Sequence, residues 1–401
     1  MTETPSEAVG KARNLWLSAD GPESAVEIER LYRSALTSSR QSHRQPSTNG
    51  RDRPTKKAKK GEDNDQSLTD EEYFQAGERL ALLLCQSGRC RKAKKGLSSL
   101  GFTCRLAEDV LDYQSSSERN GPELEEHDES VPCQIIDNFL PEPWLKRLGR
   151  ALLNPTSNYW TCHNYSIEPP SPYFSYIIPL GDGMKSFGFL GKLIKRIQQC
   201  PLVLKKFPKL RNATAAEMWA HNRPHGSGHQ MHFDSDDEGR GGVRNPIISC
   251  ILYVSEADSE IPGGPSLVTN QKLSSVRLAS RGWLAHPKAR RLVAFDGRYL
   301  HGVVPGKLSE SRPGRRVTLM LAFWEKIEVR SDEGPGSARK FPESFEVAWA
   351  ESLRSPFEGG DMGYEQCKQT QPIELGRVYE TLEGKKWKGR MPEYDCCFQG
   401  F

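Results

Sequence analysis

The sequence has no apolar run approaching the roughly 20 residues that a membrane-spanning helix requires, so no span is expected. Its first residues, MTETPSEAVGKARNLWLSADG, hold no hydrophobic signal region, and secretion is not expected. Charge of one sign is also lacking. Against 56 Lys and Arg stand 52 Asp and Glu, and a net charge of +4 is too small to make the whole chain an electrostatic trap for nucleic acid. The ten cysteines, at 85, 90, 104, 133, 162, 200, 250, 367, 396 and 397, show no paired metal spacing. In a reducing compartment they read as small buried or partly exposed thiols. The vicinal Cys396 and Cys397 have no partner set either, and a structural or incidental role is expected. A nuclear or cytoplasmic protein without membrane attachment is the expectation, and the N-x-[ST] triplets at Asn164 and Asn212 then carry no meaning.

What is present divides the chain into six stretches. Residues 1–39 favour two helices around Asp20-Gly21-Pro22, a helical hairpin. Residues 40–66 lose apolar periodicity and read as a disordered basic linker, in which RPTKKAKK suits nuclear import, phosphate contact or plain solubility. Residues 67–115 turn helical again, with Ala76, Leu80, Leu83 and Leu84 on one stripe and Gly88 and Gly101 as stops. Here TCRLAEDVLDY is read as helix. Residues 116–130 are a polar acidic linker, 131–330 form the main domain, and 331–401 are expected to add a helix and an irregular segment packed on it.

The chemistry concentrates between Glu217 and Asp234, EMWAHNRPHGSGHQMHFD. On a strand with period 2, His232 and Asp234 project from one side. His301, in LVAFDGRYLHGV, could complete a two-histidine, one-carboxylate facial triad, the ligand set that suits non-haem Fe(II). In GRRVTLMLAFW, Arg316, Thr318, Met320, Ala322 and Trp324 share one strand face, while Val317, Leu319, Leu321 and Phe323 form a wholly apolar one. Arg316 with Thr318 could hold a dicarboxylic acid. His221, His225, His229 and His232 also suggest a zinc helix, but Pro224, Gly226 and Gly228 interrupt the spacing. A strand over 218–222, a turn over 223–228 and a paired strand over 229–234 are expected instead, with Asn222, Arg223 and His229 at the pocket mouth.

Taken in order, VPCQIIDNFLPEPWLKRL, GSGHQMHFD, ILYVSE followed by a Gly pair, FDGRYLHGV and GRRVTL resemble the Fe(II)- and 2-oxoglutarate-dependent oxygenases, prolyl 4-hydroxylase-like branch. The resemblance implies a mainly β core, a double-stranded β-helix or jelly roll with flanking helices. It implies iron on His232, Asp234 and His301, 2-oxoglutarate on Arg316 with Thr318 and Tyr253 beside it, and ascorbate as an auxiliary reductant. It also makes the aromatic segment 157–182 an overhang of the metal, with Tyr159, Trp160, Tyr165, Tyr173 and Tyr176 as candidate substrate-facing residues. The run AGERLALLLCQSGRCRKA resembles one tetratricopeptide repeat, so the N-terminal part is read as TPR-like and as a possible site for a protein partner. One or two such units cannot bury a core alone and are expected to pack on the main domain or on a partner.

A protein side chain such as proline is the expected substrate, in a protein or peptide. Nucleic acid and small molecules are the alternatives within the same superfamily. The alkylation-repair demethylases carry a second arginine six residues after the oxoglutarate arginine, where this chain has Ala322. Asp234 fills the coordination position that a halogenase leaves to halide. A non-enzymatic scaffold would not need the complete triad together with Arg316.

Overall fold

The structure, a computed structural model, describes residues 3–18, 22–39, 67–114, 130–165, 174–236, 243–255, 260–310, 314–328, 338–342, 348–356, 363–382 and 396–400. The basic linker 40–66, Tyr173 and nearly all of the acidic linker lie outside these residues. The chain opens with helices α1 (Pro5–Ser18), α2 (Pro22–Ser39), α3 (Asp70–Gln86) and α4 (Cys90–Ser99), then β1 (Cys104–Leu106) and α5 (Glu108–Leu111). The main domain begins with β2 (Cys133–Asp137), α6 (Glu142–Leu152), α7 (Tyr159–Cys162), β3 (Ser175–Pro179), α8 (Gly188–Gln199) and α9 (Pro201–Lys206). It continues through β4 (Ala215–Pro224), β5 (His229–His232), β6 (Ile248–Val254), β7 (Ser266–Lys272), β8 (Gly282–Ala285), β9 (Leu292–Asp296), β10 (Tyr299–Val303) and β11 (Arg315–Trp324). The last part supplies β12 (Ala338–Lys340), α10 (Ala348–Arg354), β13 (Lys368–Thr370), β14 (Ile373–Leu375), β15 (Tyr379–Thr381) and β16 (Cys397–Phe398).

Two sheets form the mainly β core, one ordered β12-β3-β4-β11-β6-β9-β2-β13 and the other β14-β8-β7-β10-β5. β11 shows why they pack as they do. Its apolar face, Val317, Leu319, Leu321 and Phe323, joins a core with Trp144, Leu145 and Leu148 of α6 and with Leu190, Leu193 and Ile194 of α8. Its other face sends Met320, Ala322 and Trp324 between the sheets, against Trp219, Ile251, Val268, Trp283 and Phe295. The larger sheet is thus shielded by helices outside and by the smaller sheet inside, the layering expected when a strand is apolar on both sides.

The N-terminal helices cover the outer face of the smaller sheet. Their core, with Ala12, Leu31, Leu82 and Leu97, continues into Met231, Leu267, Leu284, Leu300 and Val304. Local signals start and stop them. Thr69 and Glu72 close a reciprocal capping box at the start of α3, and Gly88 and Gly101 take the left-handed conformation just past α3 and α4. Polar contacts fix the docking: Gln86 Nε2 donates to Pro305 O at 3.0 Å, and Lys307 N donates to the Tyr113 hydroxyl at 3.1 Å. Trp16 lies so close to Gly226 that a Cβ there would meet its Nε1 at 2.2 Å.

Two expectations need correction. TCRLAEDVLDY is not one helix: Cys104–Leu106 is a strand, because β15 on one side and β16 on the other supply backbone partners that the local sequence does not show. The C-terminal extension is also more than a helix and an irregular segment. β12 and β13 form the two edges of the larger sheet, β14 extends the smaller one, and β16 runs parallel to β1 with Cys397 opposite Cys104.

β2 is held by a buried ion cluster. Asp137 accepts from Arg291 Nε at 2.6 Å, from Arg291 Nη2 at 3.0 Å, from Lys288 at 2.9 Å and from Thr370 at 3.1 Å. Burial alone would raise the Asp137 carboxyl, but the Arg291 and Lys288 bonds and charges outweigh it and hold it below its ordinary value. Its contribution to stability is therefore complete above about pH 4, the unfolded value, and is lost as the pH falls through the lower folded one. Asp137→Ala leaves Arg291 buried without its carboxylate and is expected to cost about 3–5 kcal/mol. Urea unfolding at pH 7 measures this, and the deficit should shrink as the pH falls through the folded carboxyl's titration.

Candidate metal centre and cavity

The triad is built on two neighbouring strands of the smaller sheet, and the cavity beside it is closed by β4 and β11 of the larger one. β5 and β10 run antiparallel with His232 opposite His301. His301 is buried, and His232 and Asp234 are partly so. Asp234 Oδ1 lies 3.5 Å from His232 Nε2 and 3.6 Å from His301 Nε2. One ligand atom from each of the three lies within 4.8 Å of the others, the only such group of histidine, cysteine and carboxylate among the described residues.

Each donor is oriented from behind. His232 Nδ1 sits 2.9 Å from Gln230 O, and His301 Nδ1 sits 3.0 Å from Tyr299 O. A carbonyl only accepts, so each ring donates from Nδ1 and a neutral ring keeps its lone pair on Nε2, facing Asp234. Ser249 Oγ donates to Asp234 Oδ2 at 2.5 Å, which leaves Oδ1 toward the imidazoles. Asn245 Nδ2 fixes the Asp234 carbonyl at 2.6 Å. Burial would raise the Asp234 carboxyl, but the two imidazoles and Ser249 hold it well below the usual range. Burial pushes His301 down to about 4 against the pull of Asp234, so its imidazole is neutral at pH 7, as a metal ligand must be. Ser249→Ala removes the bond that selects Oδ1, and metal affinity is expected to fall about 10- to 100-fold, read by calorimetric titration with Mn(II).

The cavity beside the triad is lined by Trp219, His221 and Arg223 of β4, by Arg316, Thr318 and Met320 of β11, and by Ile251, Ser266, Val268 and Phe295. Arg316 is 4% exposed and donates through Nη1 to Gly264 O at 3.1 Å. Burial draws its guanidinium down to about 10, which still leaves it charged at neutral pH. No carboxylate pairs with it among the described residues. Thr318 lines the cavity beside it. Tyr253 is buried one strand away and its hydroxyl shares a 3.1 Å bond with Ser266 Oγ, so Ser266, rather than the Tyr253 ring, forms the wall.

Other expected residues fall differently. β4 and β5 are not a paired hairpin, since β4 pairs with β3 and β11 whereas β5 pairs with β10 in the opposite sheet. Asp234 lies two residues beyond the end of β5. His229 has the wrong parity to share a face with His232 on a regular strand, yet it lines the cavity, its ring 4.5 Å from that of His232. A register shift is the reason: His232 pairs with His301 and His229 with Val303, so β5 spends one residue more than β10. Arg223 lines the cavity, whereas Asn222 turns to an outer groove and accepts from Arg315. His225 is a strut: it accepts from Gly263 N at 3.1 Å through Nδ1 and donates to Lys307 O at 2.7 Å through Nε2. Tyr159 and Tyr176 are buried in the helical core, Tyr159 at the floor of the outer groove, while Trp160 and Tyr165 are only partly buried against that core. Sequence reasoning missed Ser249, which gives no local signal, and the cavity roles of Trp219 and His221, which the period-2 run back from Arg223 carries.

No family model matches the chain, and no curated protein does. Solved structures do. A Pseudomonas putida prolyl-4-hydroxylase is similar at 17% identity and TM-score 0.33, over 49% of this chain and 93% of that one. An oxidoreductase of the 2OG-Fe(II) oxygenase family from Burkholderia pseudomallei is similar at 11% identity and TM-score 0.30, over 55% and 97%. HygX from Streptomyces hygroscopicus, crystallised with nickel and 2-oxoglutarate bound, is similar at 12% identity and TM-score 0.28, over 54% and 94%. Among the described residues, no helix is long and apolar enough to cross a membrane.

Proposed function

We propose that the chain is an Fe(II)- and 2-oxoglutarate-dependent dioxygenase that hydroxylates a C–H bond of a protein side chain. One observation carries this: two imidazole Nε2 atoms and a carboxylate Oδ1 converge at a cavity that also holds a buried guanidinium with no carboxylate partner among the described residues. His232, Asp234 and His301 would hold the iron in a set that leaves adjacent positions open. Arg316 and Thr318 would hold the far carboxylate of 2-oxoglutarate, with Ser266 and Tyr253 behind them. When bound, the ion and its cosubstrate supply the activation of O2 and the oxidation of the C–H bond.

The chain itself supplies position and dryness. Gln230 O, Tyr299 O and Ser249 fix the ligand orientations, and Trp219, Ile251, Phe295 and Met320 keep water from the centre. A protein substrate is favoured by the prolyl-hydroxylase-like motifs and by an open groove of about 640 Å³ lined by Asn158, Trp160, Asn222, Glu260 and Arg315. Proline as the modified residue rests on those motifs.

Succinate release from 2-oxoglutarate tests the reading, with and without Fe(II), against peptides, nucleosides and small molecules. Turnover that needs both iron and a peptide supports it. Turnover with nucleosides alone would move the substrate class, and failure of the protein to bind 2-oxoglutarate would overturn the reading.

A further inference from the structure

The cavity contains a second guanidinium besides that of Arg316. Arg223 stands opposite Arg316 in the β4–β11 register, and both line the cavity. Arg223 donates through Nη1 to Gly228 O at 2.9 Å and also hydrogen-bonds the Tyr165 phenol. Its Nε is buried with no acceptor among the described residues. Two residues earlier on the same face, His221 Nε2 accepts from the Trp219 indole at 3.2 Å. The proton of the neutral ring is therefore on Nδ1, and that N–H is also buried with no acceptor. Adjacent same-face positions of one strand thus offer two buried donor atoms, Arg223 Nε and His221 Nδ1, with no acceptor among the described residues, which is costly unless a ligand supplies one.

Charge points to the kind of ligand. A divalent ion, Asp234, Arg316 and the two carboxylates of 2-oxoglutarate sum to zero, with the imidazoles neutral. Arg223 adds one positive charge, and neither arginine is paired with a carboxylate among the described residues. An uncompensated charge in such a cavity is unfavourable, and one further carboxylate balances it. Were Arg223 to hold the cosubstrate instead, the surplus would remain.

Building on the oxygenase reading above, we propose that Arg223, with His221 beside it, is a specificity-determining residue that receives a carboxylate of the substrate. The side chain oxidised is then aspartyl or glutamyl rather than prolyl.

The test is calorimetric titration of the full chain, Mn(II)-loaded, free of oxygen and saturated with 2-oxoglutarate. The probes are N-acetyl-aspartyl and N-acetyl-glutamyl N-methylamides and their asparaginyl, glutaminyl and prolyl counterparts. An acidic probe is expected to bind at least about tenfold more tightly than its amide, about the weight of one charge-assisted bond. R223Q should erase that preference while the dissociation constant of 2-oxoglutarate moves less than about threefold, and R223K should keep most of the preference. Equal binding of neutral and acidic probes overturns the proposal. So does an R223Q variant whose lost affinity is for 2-oxoglutarate, which would assign Arg223 to the cosubstrate. A preceding titration of the Mn(II)-loaded, unmodified chain with 2-oxoglutarate separates the two readings: absence of binding there removes the oxygenase reading and the proposal together.

Discussion

Asp234→Ala is expected to abolish iron-dependent succinate formation, and His232→Ala to do the same. Each removes one of three converging donors, and a centre with two imidazoles or one imidazole and a carboxylate loses a charge or a geometric anchor. Because an oriented outer partner such as Ser249 is already worth about 10- to 100-fold in metal affinity, loss of a ligand itself should exceed that range. Metal content after dialysis separates this from a folding defect, since both variants should unfold cooperatively near the wild-type midpoint while holding no ion. His229→Ala is the control: its ring lines the same cavity but is outside the converging group, so metal binding should persist. Full turnover in either ligand variant would end the assignment of the triad.

The second large effect is on cosubstrate affinity. Arg316→Ala should raise the 2-oxoglutarate requirement with less change in the rate at saturation, because on the proposed reading the guanidinium would hold the cosubstrate's far carboxylate rather than touch the reacting bond. Truncating one member of a buried hydrogen-bonded charge pair costs about 2–5 kcal/mol, which is roughly 30- to 4,000-fold in apparent affinity. The neighbouring Arg315 is exposed, points to the outer groove and is held by Asn222. Arg315→Ala should therefore shift the 2-oxoglutarate requirement by no more than about threefold. Steady-state titration of 2-oxoglutarate for the two variants checks the alternation of faces along β11 as well as the role of Arg316, and equal effects would contradict both.

The period-2 pattern of GRRVTLMLAFW was legible because each side of β11 meets a continuous core, so sequence alternation and burial coincide. The apolar stripe of α6, with Trp144, Leu145, Leu148 and Leu152, was legible for the same reason. The triad could be read as three residues but not as one strand geometry. Asp234 lies past the strand end, and His229 reaches the cavity only through a register shift against β10 that no local pattern encodes. The three-residue strands β12 to β15 and the two-residue β16 were beyond reach, because pieces that short are defined by partners far away in the chain. Tyr159 and Tyr176 looked available in an irregular aromatic stretch, yet α6, α8 and α10 bury them, and that enclosure depends on tertiary packing.

Met231, between the cavity histidines of β5, turns its side chain into the helical core, and its N–H donates to Gln399 Oε1 at 2.8 Å. The strand bearing His232 is therefore clasped by a residue some 170 positions later in translation order. Until Gln399 has left the ribosome, this clasp cannot form, so β5 should reach its final seat only after the strands it faces have been made.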